Sequence, residues 1–427
     1  MIIIAEHQKI ELNKLAEFNL DRLKEHINYN TSSFDASKIN LIRYEYDPNL
    51  KKDGFYSYFR IGAEWLDPDD QTKALIVLPK ISQIDYIEMF MTCLRSSAPE
   101  DDFSAIYDID IGSKPIRSKV LNSILSPLLI VQFLLIVKQI SERGLRKGYV
   151  SREGNLNKVK GRIDFRKNEI LNIRNGHKER IYCRYEEFSV DTLENRYLKR
   201  GLRITSNMIS MMSAHRSYDS LNALCNQCLN AFGQVSDTFE ELHSLNRNNR
   251  LFHEYSDALR IAQMIIRKEE MSLSSRNQYS FDFVPVFRID MSLLFEHYVL
   301  AKLREKYGIK KVIYQQKGNN AFYPDFLINE PSQKIIADAK YTELYTDGVI
   351  NGDYIKQLSG YARDIQILKA LKIDCSNPDR VPIVPCSLIY PSQKEDPETN
   401  INLMDKPNKN TIKFFTTTIK IPTLSHD

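Results

Sequence analysis

In Ile335-Ile336-Ala337-Asp338-Ala339-Lys340-Tyr341 a carboxylate and an ammonium stand two residues apart inside an apolar run. A β-strand turns successive side chains to opposite faces, so Asp338 and Lys340 emerge together while Ile335, Ala337, Ala339 and Tyr341 take the other face of a half-buried strand. Upstream, Pro324-Asp325 opens a second apolar run, Phe326-Leu327-Ile328. The segment between them, Asn329-Glu330-Pro331-Ser332, is rich in turn formers, and a hairpin there sets Asp325 alongside Asp338.

A chain of 427 residues exceeds one average domain and can bury two or three cores. The net charge of +4, from 59 basic and 55 acidic residues, is too small to argue for nucleic acid by itself, so charge distribution has to carry that argument. Six cysteines and a start, Met1-Ile2-Ile3-Ile4-Ala5-Glu6, without a secretory pattern suit a reducing cytoplasm, with no disulfides expected. The apolar stretch from Pro127 to Val137 is shorter than the roughly 20 residues that cross a bilayer and carries Gln132, so it reads as a buried helix and no membrane partner is expected.

The pattern reads as three segments: a mixed, β-rich domain over 1–118, a mainly helical middle region over 119–275, and an α/β sandwich over 276–427. The first contains a helix around Leu12 to Tyr29, strands around Phe55 to Ile61 and Ala74 to Pro79, a turn at Asp67-Pro68-Asp69-Asp70, a helix from Ile84 to Leu94 and a loop over Ser96 to Asp102. In the second, residues 143–167 hold nine Lys or Arg against Glu153 and Asp164, interleaved with four glycines. This basic window reads as loops and short strands, either a solvated edge ribbon or a contact with phosphates or an acidic partner. Asp191-Thr192-Leu193-Glu194 has the form of a capping box with Asp191 as N-cap, and further helices are expected over Ser217 to Leu245 and Tyr255 to Lys268. Cys225 and Cys228 form a CxxC without a second pair nearby and share a helical face with Leu221 and Phe232, so they read as core side chains. After a polar linker at Ser272 to Asn277, the third segment reads as a helix from Met291 to Tyr307 stopped by Gly308, a strand at Lys311 to Gln315, the hairpin, a helix from Tyr354 to Ile373, and strands near Ile383 to Tyr390 and Ile412 to Ile421.

Paired carboxylates beside a lysine suit phosphodiester hydrolysis, which needs an activated water and a cation to absorb charge on the transition state. Asp325 and Asp338 read as ligands of Mg²⁺, with Mn²⁺ as the alternative, and the carbonyl of Ala339 as an extra ligand. Lys340, protonated, would orient the water or neutralise the phosphate. Glu296 interrupts the apolar helical face of Leu293, Val299, Leu300 and Leu303, which is costly unless it is locally paired or faces a cation. Gln357 and Tyr361, at i and i+4, share a helix face from which they could contact a phosphate or Lys340, although the tyrosine could equally be core. This ordered set resembles the PD-(D/E)XK nuclease superfamily.

A closer resemblance lies in Lys160-Gly161-Arg162-Ile163-Asp164-Phe165, in the run from Glu187 to Lys199, in Met291 to Glu296, in Tyr323 to Phe326, in Asp338 to Tyr341 and in Gln357 to Ala362. Together these are similar to the signatures of McrC proteins, nuclease subunits of McrBC-type modification-dependent restriction systems, over roughly residues 60 to 390. The resemblance implies an endonuclease acting on double-stranded DNA carrying 5-methylcytosine, docked on a McrB-like AAA+ GTPase ring and stimulating its GTP hydrolysis through its N-terminal region. The chain has no G-x-x-x-x-G-K-[ST] loop, so no nucleotide is expected to be bound by this chain alone. Cutting both strands implies two copies per productive complex. A non-catalytic, DNA-binding scaffold that activates the GTPase, and a stand-alone PD-(D/E)XK nuclease, are the alternative readings.

Overall fold

The computed structural model describes residues 1–427 apart from 16–18, 30–34, 36, 48–51, 68, 70, 82, 97–104, 111–112, 118–121, 213–217, 239–252, 275–282, 320–321, 343–349, 394–400 and 425–427. The expected loop after Ser96, parts of the turn at 67–70 and of the linker at 272–277, and both ends of the helix expected over 217–245 lie outside the described residues. The chain divides by packing into two units, Met1–Ile124 with Phe281–Asp427, and Leu125–Ser280. The reading into three consecutive segments differs from this division because one strand, Val286–Asp290, returns to the N-terminal sheet.

That sheet has five strands in the spatial order Ile2–Ala5, Ala74–Leu78, Arg60–Trp65, Val286–Asp290, Tyr107–Asp110. Ile2–Ala5 runs parallel to its neighbour, and Val286–Asp290 is antiparallel to strands on both its sides. Gly62 makes the insertion possible. Its φ of 142° is open to glycine, and a Cβ there would meet the Phe287 carbonyl oxygen at 2.1 Å. The expected helix from Leu12 is reduced to a 3-10 turn, Leu12–Leu15, and a short helix, Leu20–His26, whose N-cap Asn19 accepts hydrogen bonds from Asp21 and Arg22. Ile10, Leu15, Leu23, Ile39, Phe55 and Leu75 form the core beneath it. Asp85 caps the helix Tyr86–Arg95.

Immediately after Val286–Asp290, Asp290 accepts a hydrogen bond from the Leu293 N–H and starts the helix Met291–Tyr307, which ends at Gly308 with φ 89°. The C-terminal sheet follows, six strands in the order Val312–Tyr314, Phe326–Asn329, Lys334–Ala339, Cys386–Ser392, Phe414–Lys420, Lys406–Pro407. Phe326–Asn329 and Lys334–Ala339 form an antiparallel hairpin in the register Phe326↔Ala337, and Lys334–Ala339 runs parallel to Cys386–Ser392. The helix expected from Tyr354 to Ile373 is two, Gly352–Tyr361 and Ile365–Ala370. Asp364 divides them, because its carboxylate caps Gln366 and Ile367 and also accepts the Asn319 N–H at 2.7 Å. Leu327, Ile336, Leu358, Ile367 and Leu388 are among the core residues here.

In the second unit the helices Asn122–Arg143, Leu193–Met212, Asp219–Ala231 and His253–Ser274 bury Phe133, Leu134, Leu202, Leu221 and Ala262. No helix among the described residues is long and apolar enough to cross a membrane. Cys225 and Cys228 are core residues whose thiols approach the carbonyls of Leu202 and Leu134, and burial pushes them up to about 11 and about 12. The helix start is displaced by one residue from the expected capping box. Thr192, not Asp191, accepts the Asn195 N–H, while Asp191 is buried against Arg152 at 2.7 Å and Arg196 at 2.8 Å. The basic window forms the strand Gly148–Leu156, paired along its length with Ile181–Ser189 and joined by Arg162–Ile163.

Candidate active site

The hairpin register brings the two aspartates to one end of the C-terminal sheet. Asp325 immediately precedes the first hairpin strand, and its Oδ2 accepts the Ala339 N–H at 2.8 Å. Asp338 pairs with Leu388 on the parallel side, so its strand is an interior one, and Ile335, Ile336, Ala337 and Asp338 are all buried. The half-buried alternation expected from the sequence is therefore covered on both faces. Tyr361 lies over the face of Ile336, and Phe295 of the helix Met291–Tyr307 meets the Tyr341 ring at 5.9 Å.

Lys340 lies just beyond the strand, its N–H donating to the Ile389 carbonyl at 2.8 Å. Its ammonium stands 2.5 Å from Asp338 Oδ2, 4.9 Å from the centre of the Tyr354 ring and 3.5 Å from Gln357 Oε1. Gln357 in turn donates to the Tyr361 hydroxyl at 2.7 Å, so the helical i, i+4 pair reads as one chain of hydrogen bonds reaching Lys340. Glu296 is half-buried on its helix, and its Oε1 accepts from Gln315 Nε2 at 3.0 Å.

The electrostatics of the three acids share one cause. Burial raises the carboxyl pKa of Glu296, Asp325 and Asp338, and for Asp325 the charges of Asp338 and Glu296 add to it, lifting it well above the usual aspartate range. Lys340 opposes the rise at all three. Its own ammonium is disfavoured by burial, but Asp338 and Asp325 more than compensate and hold it protonated. Acids whose ionisation is opposed by burial, and at Asp325 and Glu296 also by a neighbouring carboxylate, suit a hard divalent cation, which reverses both effects. Asp325, Asp338 and Glu296, with the Ala339 carbonyl, are the groups that could hold it.

Among the described residues one other group, His26, Asp67 and Asp69, has ligand atoms all within 4.8 Å of one another; the three site acids are more widely spread. Arg22 already lies 3.5 Å from Asp67 and 3.3 Å from Asp69, which offsets one of the two carboxylate charges of that cluster.

Two site residues escaped the sequence reading. Gln315, at φ 46°, takes its N–H to the Asp325 carbonyl at 3.0 Å while its side chain bridges Glu296 and the Tyr314 hydroxyl. Tyr314 reaches on to His297 Nε2 at 3.4 Å. Their signal was the antiparallel register itself, which sets the end of the strand Val312–Tyr314 opposite Asp325.

A family model described as the McrBC 5-methylcytosine restriction system component matches residues 70–367, more than half of the chain and all of the site residues named above. The chain belongs to this McrBC family. Among solved structures, a half-complex from a tetradecameric assembly of Thermococcus gammatolerans McrB AAA+ hexamers with bound McrC is similar at 15% identity, covering 99% of this chain and 95% of that one, with a TM-score of 0.39. A cryo-EM structure of the Thermococcus gammatolerans McrBC complex is similar at 15% identity over 71% of this chain and 86% of that one, with a TM-score of 0.28. Curated proteins give no significant match.

Proposed function

We propose that this McrBC-family chain is the Mg²⁺-dependent DNA endonuclease subunit of a modification-dependent restriction complex, with a PD-(D/E)XK-type site in its C-terminal sheet. The observation that carries the reading is the juxtaposition of Asp325, Asp338 and Lys340 at one end of a six-stranded sheet, with burial raising the pKa of both acids and the charges of Asp338 and Glu296 raising that of Asp325 further. In this reading Asp325, Asp338 and the Ala339 carbonyl hold the metal, and Glu296 completes its surroundings. When bound, Mg²⁺ supplies a more acidic water and neutralises charge on the scissile phosphate. Lys340, kept protonated by the aspartates and steadied by Gln357 and Tyr354, donates to the water or to a phosphate oxygen. Tyr361 fixes the orientation of the Gln357 amide.

The partner in this reading is an AAA+ GTPase ring, the substrate is double-stranded methylated DNA, two copies of the chain act together, and the setting is the cytoplasm. The test is double-strand cutting of methylated plasmid with GTP and Mg²⁺ by the chain and its GTPase, with Asp338→Ala as control. Cutting that survives Asp338→Ala overturns the site assignment. Robust cutting by the chain alone favours a stand-alone nuclease, and GTPase stimulation without any cutting favours the scaffold.

A further inference from the structure

Lys80 belongs to the N-terminal sheet by sequence and reaches the C-terminal site by its side chain. It follows the strand Ala74–Leu78, which pairs in parallel with Ile2–Ala5. Glu6 continues that second strand: its N–H donates to the Leu78 carbonyl at 2.9 Å and its carboxylate accepts the Lys80 N–H at 2.9 Å. Glu6 is 4% exposed, an expensive location for a carboxylate, and besides the Lys80 N–H it faces the Lys80 charge and the Tyr341 hydroxyl. It secures the base of a lysine whose ammonium donates to the Tyr341 carbonyl at 2.6 Å, so Glu6 acts on Tyr341 both directly and through Lys80. The same ammonium lies 4.3 Å from the centre of the Tyr341 ring and 5.5 Å from that of Phe59.

The place of that carbonyl gives the contact its meaning. Pairing between Lys334–Ala339 and Cys386–Ser392 ends at Ala339↔Ile389, and the Lys340 N–H makes the last hydrogen bond to the neighbouring strand. The backbone then turns, with the Thr342 N–H bonded to the Lys340 carbonyl at 2.8 Å. Lys340 is thus held from one side by Ile389 and from the other through Tyr341, whose charge-assisted hydrogen bond from Lys80 is of the stronger kind. A displacement of about 1 Å at such a position can cost two orders of magnitude in rate.

We propose that Lys80, seated by Glu6, is a positioning residue for the nuclease site, fixing the Tyr341 carbonyl and through it the direction of Lys340. The inference rests on the nuclease reading above and extends it to the N-terminal sheet. Hydrogen exchange of the full-length, metal-free chain tests the positioning directly. In Lys80→Met the amides of Lys340 to Thr342 exchange at least about tenfold faster, those of Phe326–Asn329 and Ile2–Ala5 keep their wild-type rates, and Lys80→Arg restores most of the protection. In the plasmid assay Lys80→Met lowers kcat about tenfold at unchanged KM. Unaltered exchange at 340–342 in a wild type that cuts overturns the positioning role alone, as does acceleration spread uniformly over both sheets, which marks a purely structural lysine. A wild type that cuts no better than Asp338→Ala removes the nuclease reading, and the proposal with it.

Discussion

Buried carboxylates behave in opposite ways in the two units. In the first, Glu6, Glu64, Glu296, Asp325 and Asp338 all have their pKa raised, with burial as the largest cause. In the second, Asp191 is just as enclosed, with a side chain 2% exposed, yet its pKa is driven down: burial alone would raise it, but Arg196, the Ser236 N–H and Arg152 outweigh that. On the ribbon surface the same pairing recurs, with Lys167 and Arg184 both on Glu153 and Lys160 3.4 Å from Glu187. The most basic stretch of the sequence therefore pairs several of its charges across strands, whereas acids raised by burial sit in both sheets of the first unit, and three of them, Glu296, Asp325 and Asp338, gather around the end of the C-terminal sheet. Clustering of such acids, more than charge density, marks the candidate site.

The comparison can be broken most sharply by activity. Asp338→Ala should lower cutting by at least about 10³-fold, while Lys160→Ala on the ribbon leaves the chemical step within a factor of a few, measured as single-turnover rates. The next largest effect is on stability. Asp191→Ala takes the carboxylate from the largely buried Arg196 and should cost about 3 kcal/mol, read from urea unfolding of the full chain.

Dependence on pH should take opposite signs in the two units. Glu64 is pushed from 4.5 up to about 7 by burial, against the N–H groups of Asn40 and Leu41, and Glu6 likewise to about 7. A folded state that binds the proton more tightly than the unfolded one is favoured below pH 4.5 and loses that advantage as pH rises to about 7. For Glu64 the loss is about 3 kcal/mol. Asp191, with its folded pKa depressed, contributes stability above its unfolded value of 3.8 that is lost as pH falls below it. Exchange protection in the N-terminal sheet should therefore fall between pH 5 and 7.5 and be flattened by Glu64→Gln, while protection in the helices around Asp191 holds over that range. A common pH profile for both units would erase the distinction. Smaller again, Asp325→Asn without metal should raise the unfolding free energy by about 1 kcal/mol, since it relieves repulsion and keeps an acceptor for the Ala339 N–H. Glu153→Gln should lower it slightly.

What the sequence made legible was local. The hairpin, the Gly308 stop and the core character of Cys225 and Cys228 follow from period, turn chemistry and the lack of a second cysteine pair. Chain-distant features were not legible. Nothing in Val286-Phe287-Arg288-Ile289-Asp290 names Arg60–Trp65 as its neighbour, and the one hint, a glycine inside an apolar strand at position 62, does not say whose backbone comes close. Asp191 and Asp364 show why boundaries slip: an aspartate serves equally as a cap, an ion-pair partner or a helix breaker, and only tertiary neighbours decide which. Gln315 was missed because an exposed polar residue at a strand end carries no pattern of its own.

The strand Val286–Asp290 also orders events in time. During synthesis the N-terminal sheet has Arg60–Trp65 early, but its partner leaves the ribosome about 220 residues later, so until then that edge has to stay open or be shielded. Asp290 ends the strand and caps the helix that carries Glu296. The end of a strand in the first sheet and the start of the helix that carries Glu296 are thus one residue, so the N-terminal sheet and the candidate site share a hinge point in the chain.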